Sequence, residues 1–184
     1  LSAGPVCKLR GEIGTAVLLG YANKAHDGYL GHALLGRWVN LGALTTNSDL
    51  KNDYGPVRVA LPDPAGTPAT VDTGLMKVGV FLADHVKTGI GTVLNTGTVV
   101  GAGSNVFGGG MPPGWIPPFS WVGAGRAEPY RWGKFVRVAR TAMGRRDQDL
   151  TEGCEAVLRA LWERTHGAGP ASTTEDRGPV GSGP

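Results

Sequence analysis

The repeat that most limits what this chain can fold into begins at Met76. From there the sequence divides into sixes: MKVGVF, LADHVK, TGIGTV, LNTGTV, VGAGSN and a shortened VFGGG. The first positions are Met76, Leu82, Thr88, Leu94, Val100 and Val106, and the fifth are Val80, Val86, Thr92, Thr98 and Ser104. Leu35-Gly36 and Leu41-Gly42 open two earlier hexads, with Val39 and Thr45 at their fifth positions. Cys7, Ile13, Leu19 and Ala25 also recur six apart, whereas Leu30 and Leu35 each follow five residues after their predecessors. A helix needs a period of 3.6 and a flat strand a period of 2, and neither template fits.

Six extended residues cover ~20 Å. If each hexad is one short strand plus a corner, three make a triangular coil, and stacked coils bury a continuous aliphatic column while pairing their backbones. The first-position side chain then points inward on every face. The fifth also points inward, near a corner where only a small or β-branched one fits. Glycine or asparagine is expected at the corners. The resulting expectation is an all-β fold, a parallel β-helix of triangular section over residues 1–135. The sixes stop at NSDLKNDYGPVRVALPDPAGTPATVDTGL, which reads as a long external loop over about 47–75 with one strand-like run from Val57 to Leu61. The Pro- and Gly-rich GGGMPPGWIPPFSWVGAG cannot continue a helix or a central strand, and its aromatic residues are expected to cover the end of the prism. Leu150, Cys154, Val157, Leu158, Leu161 and Trp162 have helical spacing, giving a helix over 147–165 within a helical extension at 136–166. Residues 167–184 have almost nothing to bury and read as a disordered tail.

Composition agrees with a turn-rich β architecture, since 31 of 184 residues are glycine. The formal charge of +3 is mild, and its cluster from Arg137 to Arg146 reads as a solvated helix face. No nucleic-acid recognition module is visible. No apolar run approaches the ~20 residues that span a bilayer. Cys7 and Cys154 have no metal-like spacing and read as reduced thiols of a cytoplasmic protein. The start at Leu1, in mid-pattern, suggests the C-terminal part of a longer protein. The glycine-rich GAGSNVFGGG continues the hexads and does not lie between a strand and a helix, so it is not read as a phosphate loop.

A prism has no cleft of its own, so chemistry must sit on its outer faces. Four histidines are candidates: His26, His32, His85 and His166. His26 takes the second, outward position of its hexad and has the most distinctive neighbours. KAHDGYLG followed by VNLGA resembles the acetyltransferase segment of the bifunctional glucosamine-1-phosphate acetyltransferase/uridylyltransferase family. The run from GPVCKLRGE through WVNLGALTTNSDLKN and LNTGTVVG to FGGGMPPGWIPPFSW is similar to a bacterial sugar-nucleotidyltransferase-like subgroup of it, over nearly all of residues 4–165.

That resemblance implies a left-handed prism, a homotrimer and acetyl-coenzyme A as cosubstrate, without a metal. The implied reaction is N-acetylation of an amino-sugar 1-phosphate, glucosamine 1-phosphate in the family, for nucleotide-sugar synthesis. His26 falls on the family's catalytic base, a role suited to an imidazole because its ordinary pKa lies near neutrality. Tyr29 and Asn40 fall on sugar-phosphate ligands, and Ala43 on a residue whose backbone N–H binds the acetyl carbonyl. Asn47 matches a second substrate asparagine at a spacing two residues shorter, and Lys51 a sugar-binding lysine. The phosphate-binding position upstream is matched by Lys8, Arg10 or Lys24, and the carboxylate partner of the histidine by Glu12 or Asp27. Asp84 stands where the family often has a small hydroxyl residue near coenzyme A. The nucleotidyltransferase half of the family has no counterpart here, so any such activity lies outside this chain. Two other readings remain: a non-catalytic trimerising module of a sugar-1-phosphate nucleotidyltransferase, and a metal-dependent hydratase built on the same prism. His26, His32 and His85 have the wrong spacing for the latter.

Overall fold

The short strands stack in parallel, each one coil above its predecessor, which follows from a strand-corner repeat that can pair only with the next turn. The computed structural model describes residues 1–62, 67–123 and 125–167; the tail expected beyond Gly167 lies outside them. Three faces result. Face A is a six-stranded parallel ladder whose outward residues are Ser2, Val17, Leu34, Phe81, Val99 and Trp115. On face B the outward row runs Lys8, Asn23, Asn40, Lys87, Asn105 and Trp121. Face C carries Glu12 beside Tyr29 and Thr46 beside Val93. The prism is a β-solenoid with two helices after it.

The interior confirms the repeat from Val80 onward. Leu82, Leu94, Val100 and Val106 are buried at first positions, and Val80, Val86, Thr92, Thr98 and Ser104 at fifth positions. Each aliphatic among them contributes ~1.5–3 kcal/mol as an upper figure. The interior hydroxyls are mostly satisfied locally: Thr45 Oγ1 meets Thr88 Oγ1 at 2.7 Å, and Ser104 Oγ donates to Pro117 O at 2.9 Å.

Cys7, Ile13 and Leu30 do face the core, but between them the phase differs from the sequence expectation by one residue. Leu18 is buried and Leu19 half exposed, and Lys24 occupies the inward place expected of Ala25. The buried column therefore runs Leu18, Lys24, Leu30, Leu35, Leu41, Asn47, with a single five-residue step between Leu30 and Leu35. Two polar side chains in that column disguised it. Met76, read as an inward position, is 56% exposed, because the coil resumes only after it.

Glycine with positive φ does turn later corners, as at Gly91 and Gly97, but the corner between faces A and B departs from the glycine-or-asparagine expectation. Tyr21, Trp38, His85 and Phe119 all have positive φ and stack along the corner between faces A and B. Tyr21 lies on Trp38 at 4.1 Å and Trp38 on His85 at 6.3 Å between ring centroids. Ring-on-ring contact repays a left-handed φ that costs a non-glycine residue ~1–2 kcal/mol. Gly103 breaks the column, since a Cβ there would lie 2.6 Å from the Phe119 ring.

The step between coils is 17 residues from Val17 to Leu34 but 47 from Leu34 to Phe81. The extra length is the external loop. It leaves the corner between faces C and A, where Leu50 pairs with Lys77, and contains an antiparallel hairpin of strands Arg58–Pro62 and Pro68–Asp72. Val57, Val59 and Val78 pack it against Phe81 and Val99 on face A.

Two helices, not one, follow the prism: α1, Trp132–Gly144, and α2, Glu152–His166. The basic stretch from Arg137 lies on the first. Thr151 caps α2 by accepting from the Cys154 N–H. Phe119, Tyr130, Phe135 and Ala139 form a second buried cluster, flanked by Trp121, Trp132 and Trp162, so the aromatic segment does close over the last coils.

Candidate functional site

The sequence candidates divide among three places on the prism. Asn40 lies on face B, where its Oδ1 accepts from Asn23 Nδ2 at 2.7 Å. His26 and Ala43 stack on the corner between faces B and C, linked by the Leu44 N–H to Asp27 O bond of 2.9 Å. His26 is exposed, and its ring has no partner among the described residues. The Ala43 N–H likewise finds no acceptor there, while its carbonyl accepts from the Gly91 N–H at 2.8 Å. Asp27, a candidate carboxylate for His26, pairs with Arg10 at 3.1 Å. The other, Glu12, neighbours Tyr29 on face C.

Lys24 and Asn47 turn inward. The Lys24 ammonium donates to the carbonyls of Arg10 and His26, the latter bond being very short. Burial lowers its pKa, against an upward pull from Asp27. Asn47 accepts from the Gly31 N–H at 3.0 Å and donates to Gly31 O at 2.9 Å and Ser48 O at 3.0 Å. Both amide ends are committed to backbone, so this side chain ties two coils together. Lys51 sits at the foot of the external loop, paired with Asp53 at 3.0 Å.

The densest side-chain chemistry is at the third place, the corner between faces C and A under that loop. Tyr29 lies flat along face C over Gly31, where a Cβ would collide with its hydroxyl. The glycine makes room for the ring. The Tyr29 hydroxyl donates to Asp49 Oδ2 at 2.7 Å, and His32 Nδ1 meets the same oxygen at 2.6 Å. Burial alone would raise the Asp49 pKa. Hydrogen bonds from Tyr29 and His32, with the charges of His32 and Lys77, outweigh it and hold the carboxyl below its usual range. Burial first, then the bond to Asp49 and the charges of Asp49 and Glu12, push the Tyr29 phenol up to about 12. An ionised Asp49 between two donors fixes His32 with its proton on Nδ1. Nε2 is left without a partner among the described residues, on a side chain 27% exposed.

Sequence reasoning named Tyr29 but passed over Asp49 and gave His32 no role. The signal was present: the coil step is 17 residues, and His32 and Asp49 are 17 apart, so the same corner of consecutive coils must carry both.

His26, His32 and His85 occupy three different corners. Among the described residues no group of three or more His, Cys, Asp or Glu side chains is arranged to hold a metal ion, and no helix is long and apolar enough to cross a membrane.

Fold and register together define a hexapeptide-repeat β-solenoid, the architecture of the hexapeptide-repeat acyltransferases that the sequence resembles. Among characterised proteins the chain is similar to the bifunctional sugar-1-phosphate nucleotidylyltransferase/acetyltransferase of Sulfurisphaera tokodaii, at 27% identity over 100 residues. The match covers 54% of this chain and 24% of the relative, so the chain corresponds to about a quarter of that protein. No family model matches the chain.

Proposed function

We propose that this chain transfers an acetyl group from acetyl-coenzyme A to the amino group of a sugar 1-phosphate, with glucosamine 1-phosphate as the substrate. The observation that carries the proposal is the chain of hydrogen bonds Tyr29–Asp49–His32, an imidazole oriented by a buried carboxylate beside an external loop. The relative's acetyltransferase name and the acyltransferase fold supply the reaction class.

A thioester is already reactive, so the protein needs to position it, accept a proton and stabilise an oxyanion. His32 Nε2 takes the proton as the substrate amine attacks the thioester carbonyl. Asp49 stabilises the imidazolium that forms. The C–N bond forms, the C–S bond breaks, and the proton passes to the departing thiolate. A second reading places the base at His26, as the resemblance implies. It is favoured by the exposed corner His26 shares with the unengaged Ala43 N–H, a donor suited to the acetyl carbonyl. Assembly as a trimer would bring corners of different protomers together.

The test is release of free coenzyme A thiol by the purified chain with glucosamine 1-phosphate. Loss of turnover in His32→Ala with retention in His26→Ala supports the first reading, and the reverse supports the second. No thiol release by the wild-type chain, with trimers intact in sedimentation, leaves the non-catalytic module as the function.

A further inference from the structure

Between helix α1 and face B lies a cleft of about 780 Å³, a size suited to a nucleotide-scale ligand. Lys8 and Lys87 project into it from the prism, and Arg137, Arg145 and Arg146 from the helix side. No aspartate or glutamate lines it. None of these five cations has a carboxylate partner among the described residues, although Arg10, Lys51, Arg140 and Arg159 elsewhere all do.

Arginines near a helix C-terminus have an ordinary explanation, complementing the helix dipole. That covers Arg145 and Arg146 but not Lys8 and Lys87, which belong to the opposite wall. Arg137, Thr141 and Arg145 recur every fourth residue and so form one stripe along the cleft, ~12 Å long. A row of that length exceeds what one phosphate can bridge. The floor adds hydroxyl-reading groups. Asn23 and Asn40 lie side by side, and the buried Asn23 Oδ1 has no donor.

We propose that this cleft binds a small molecule that joins two or more phosphoryl groups to a hydroxyl-bearing body, as in a nucleoside or sugar diphosphate. The arginine stripe and the two lysines grip the phosphoryl oxygens from both walls. Asn23 Oδ1 accepts from a hydroxyl of the body. Polyanion binding relieves the repulsion among five uncompensated charges. The site stands independently of the acetyl-transfer reading, with which it shares Asn40 and the phosphate candidate Lys8.

Calorimetric titration of the full chain with pyrophosphate, ADP, AMP and adenosine tests it. Pyrophosphate and ADP should bind, AMP should bind at least about tenfold more weakly, adenosine should give no response, and affinity should fall with added salt. Arg137→Gln/Arg145→Gln, both exposed positions whose fold circular dichroism can check, should weaken ADP at least about tenfold. Lys8→Gln, on the other wall, should weaken it severalfold. His32→Ala and His26→Ala should bind ADP normally, which separates this site from the acetyl-transfer chemistry. The proposal is overturned if neither pyrophosphate nor ADP binds, if AMP binds as well as ADP, or if the double variant and Lys8→Gln both bind like wild type. Binding of RNA by charge alone, with no response to ADP, overturns it equally.

Discussion

Two corners of the same prism hold a histidine in the same left-handed backbone conformation, with φ of 46° at His32 and 61° at His85. Their side chains meet opposite surroundings. His32 finds a carboxylate at 2.6 Å and keeps partial access to solvent. His85 is 6% exposed, stacked on Trp38 and edge-on to Phe135 at 5.7 Å, with no partner for Nδ1 among the described residues. The fold thus sets where an imidazole sits, and the neighbours one coil away set what it can do. At one corner the imidazole is held in one orientation with its second nitrogen unpartnered among the described residues, and at the other it is an aromatic spacer.

The sharpest way to break that contrast is to remove the first imidazole. His32→Ala should lower turnover by ~10²–10⁴-fold, the range for a general base, with a stability cost of only ~1 kcal/mol for the lost bond to Asp49. His85→Ala should do the reverse, losing stability with little direct effect on chemistry. Thiol-release kinetics beside thermal melts separate the two. If both variants lost activity in proportion to stability, the corners would not differ in kind.

The second contrast is in acid. Burial, with a smaller push from Lys87, lowers the His85 pKa to about 4 from 6.5. The folded state therefore holds the ring neutral where the unfolded chain protonates it. Stability from this group is complete above pH 6.5 and is lost as pH falls towards 4, on the order of 3 kcal/mol at most. Asp49, whose pKa lies below the ordinary 3.8, loses its contribution only at lower pH still. His85→Phe keeps the stack and removes the proton site, so denaturant unfolding at pH 5 and pH 7 should differ less in that variant than in wild type.

How much of this was legible in the sequence differs along the chain. From Val80 to Val106 the inward positions are nearly all Leu, Val, Thr or Ser, and hexad arithmetic places them correctly. Before Leu35 the inward column holds Lys24, and after it Asn47, whose polar ends reach backbone carbonyls or amides inside the prism. A hydrophobicity pattern cannot see such residues, so the phase slipped to Leu19 and Ala25. The corner between faces A and B was misjudged for a related reason. Glycine is the least strained choice locally, but stacked rings at Tyr21, Trp38 and His85 hold the left-handed conformation through contacts 17 to 47 residues away. Local motif matching found Tyr29. It missed Asp49 because the pair with His32 exists only between coils.

A third test keeps His32 and changes its orienter. Asp49→Asn preserves shape but offers an amide where an ionised acceptor was. Nδ1–H then loses charge stabilisation, and the imidazolium formed in turnover is no longer paired. Turnover should fall ~10–100-fold, less than on removing the base itself. Unchanged turnover, with thermal stability lowered, would reduce Asp49 to a coil-to-coil tie like Asn47.

The smallest effect belongs to Tyr29→Phe, which leaves the ring on Gly31 and removes only the 2.7 Å bond to Asp49. One donor to the carboxylate, His32, remains. The expected cost is ~1 kcal/mol of stability and less than about tenfold in turnover. The raised phenol gives a second readout. Its folded pKa of about 12 lies above the ordinary 10, so its contribution is present below pH 10 and lost as pH rises towards 12. Ultraviolet titration of phenolate should therefore show one late-titrating tyrosine missing in Tyr29→Phe. If the late step persists undiminished, Tyr130, which burial also shifts upward, is its whole source, and the Tyr29–Asp49 bond is weaker than its length implies.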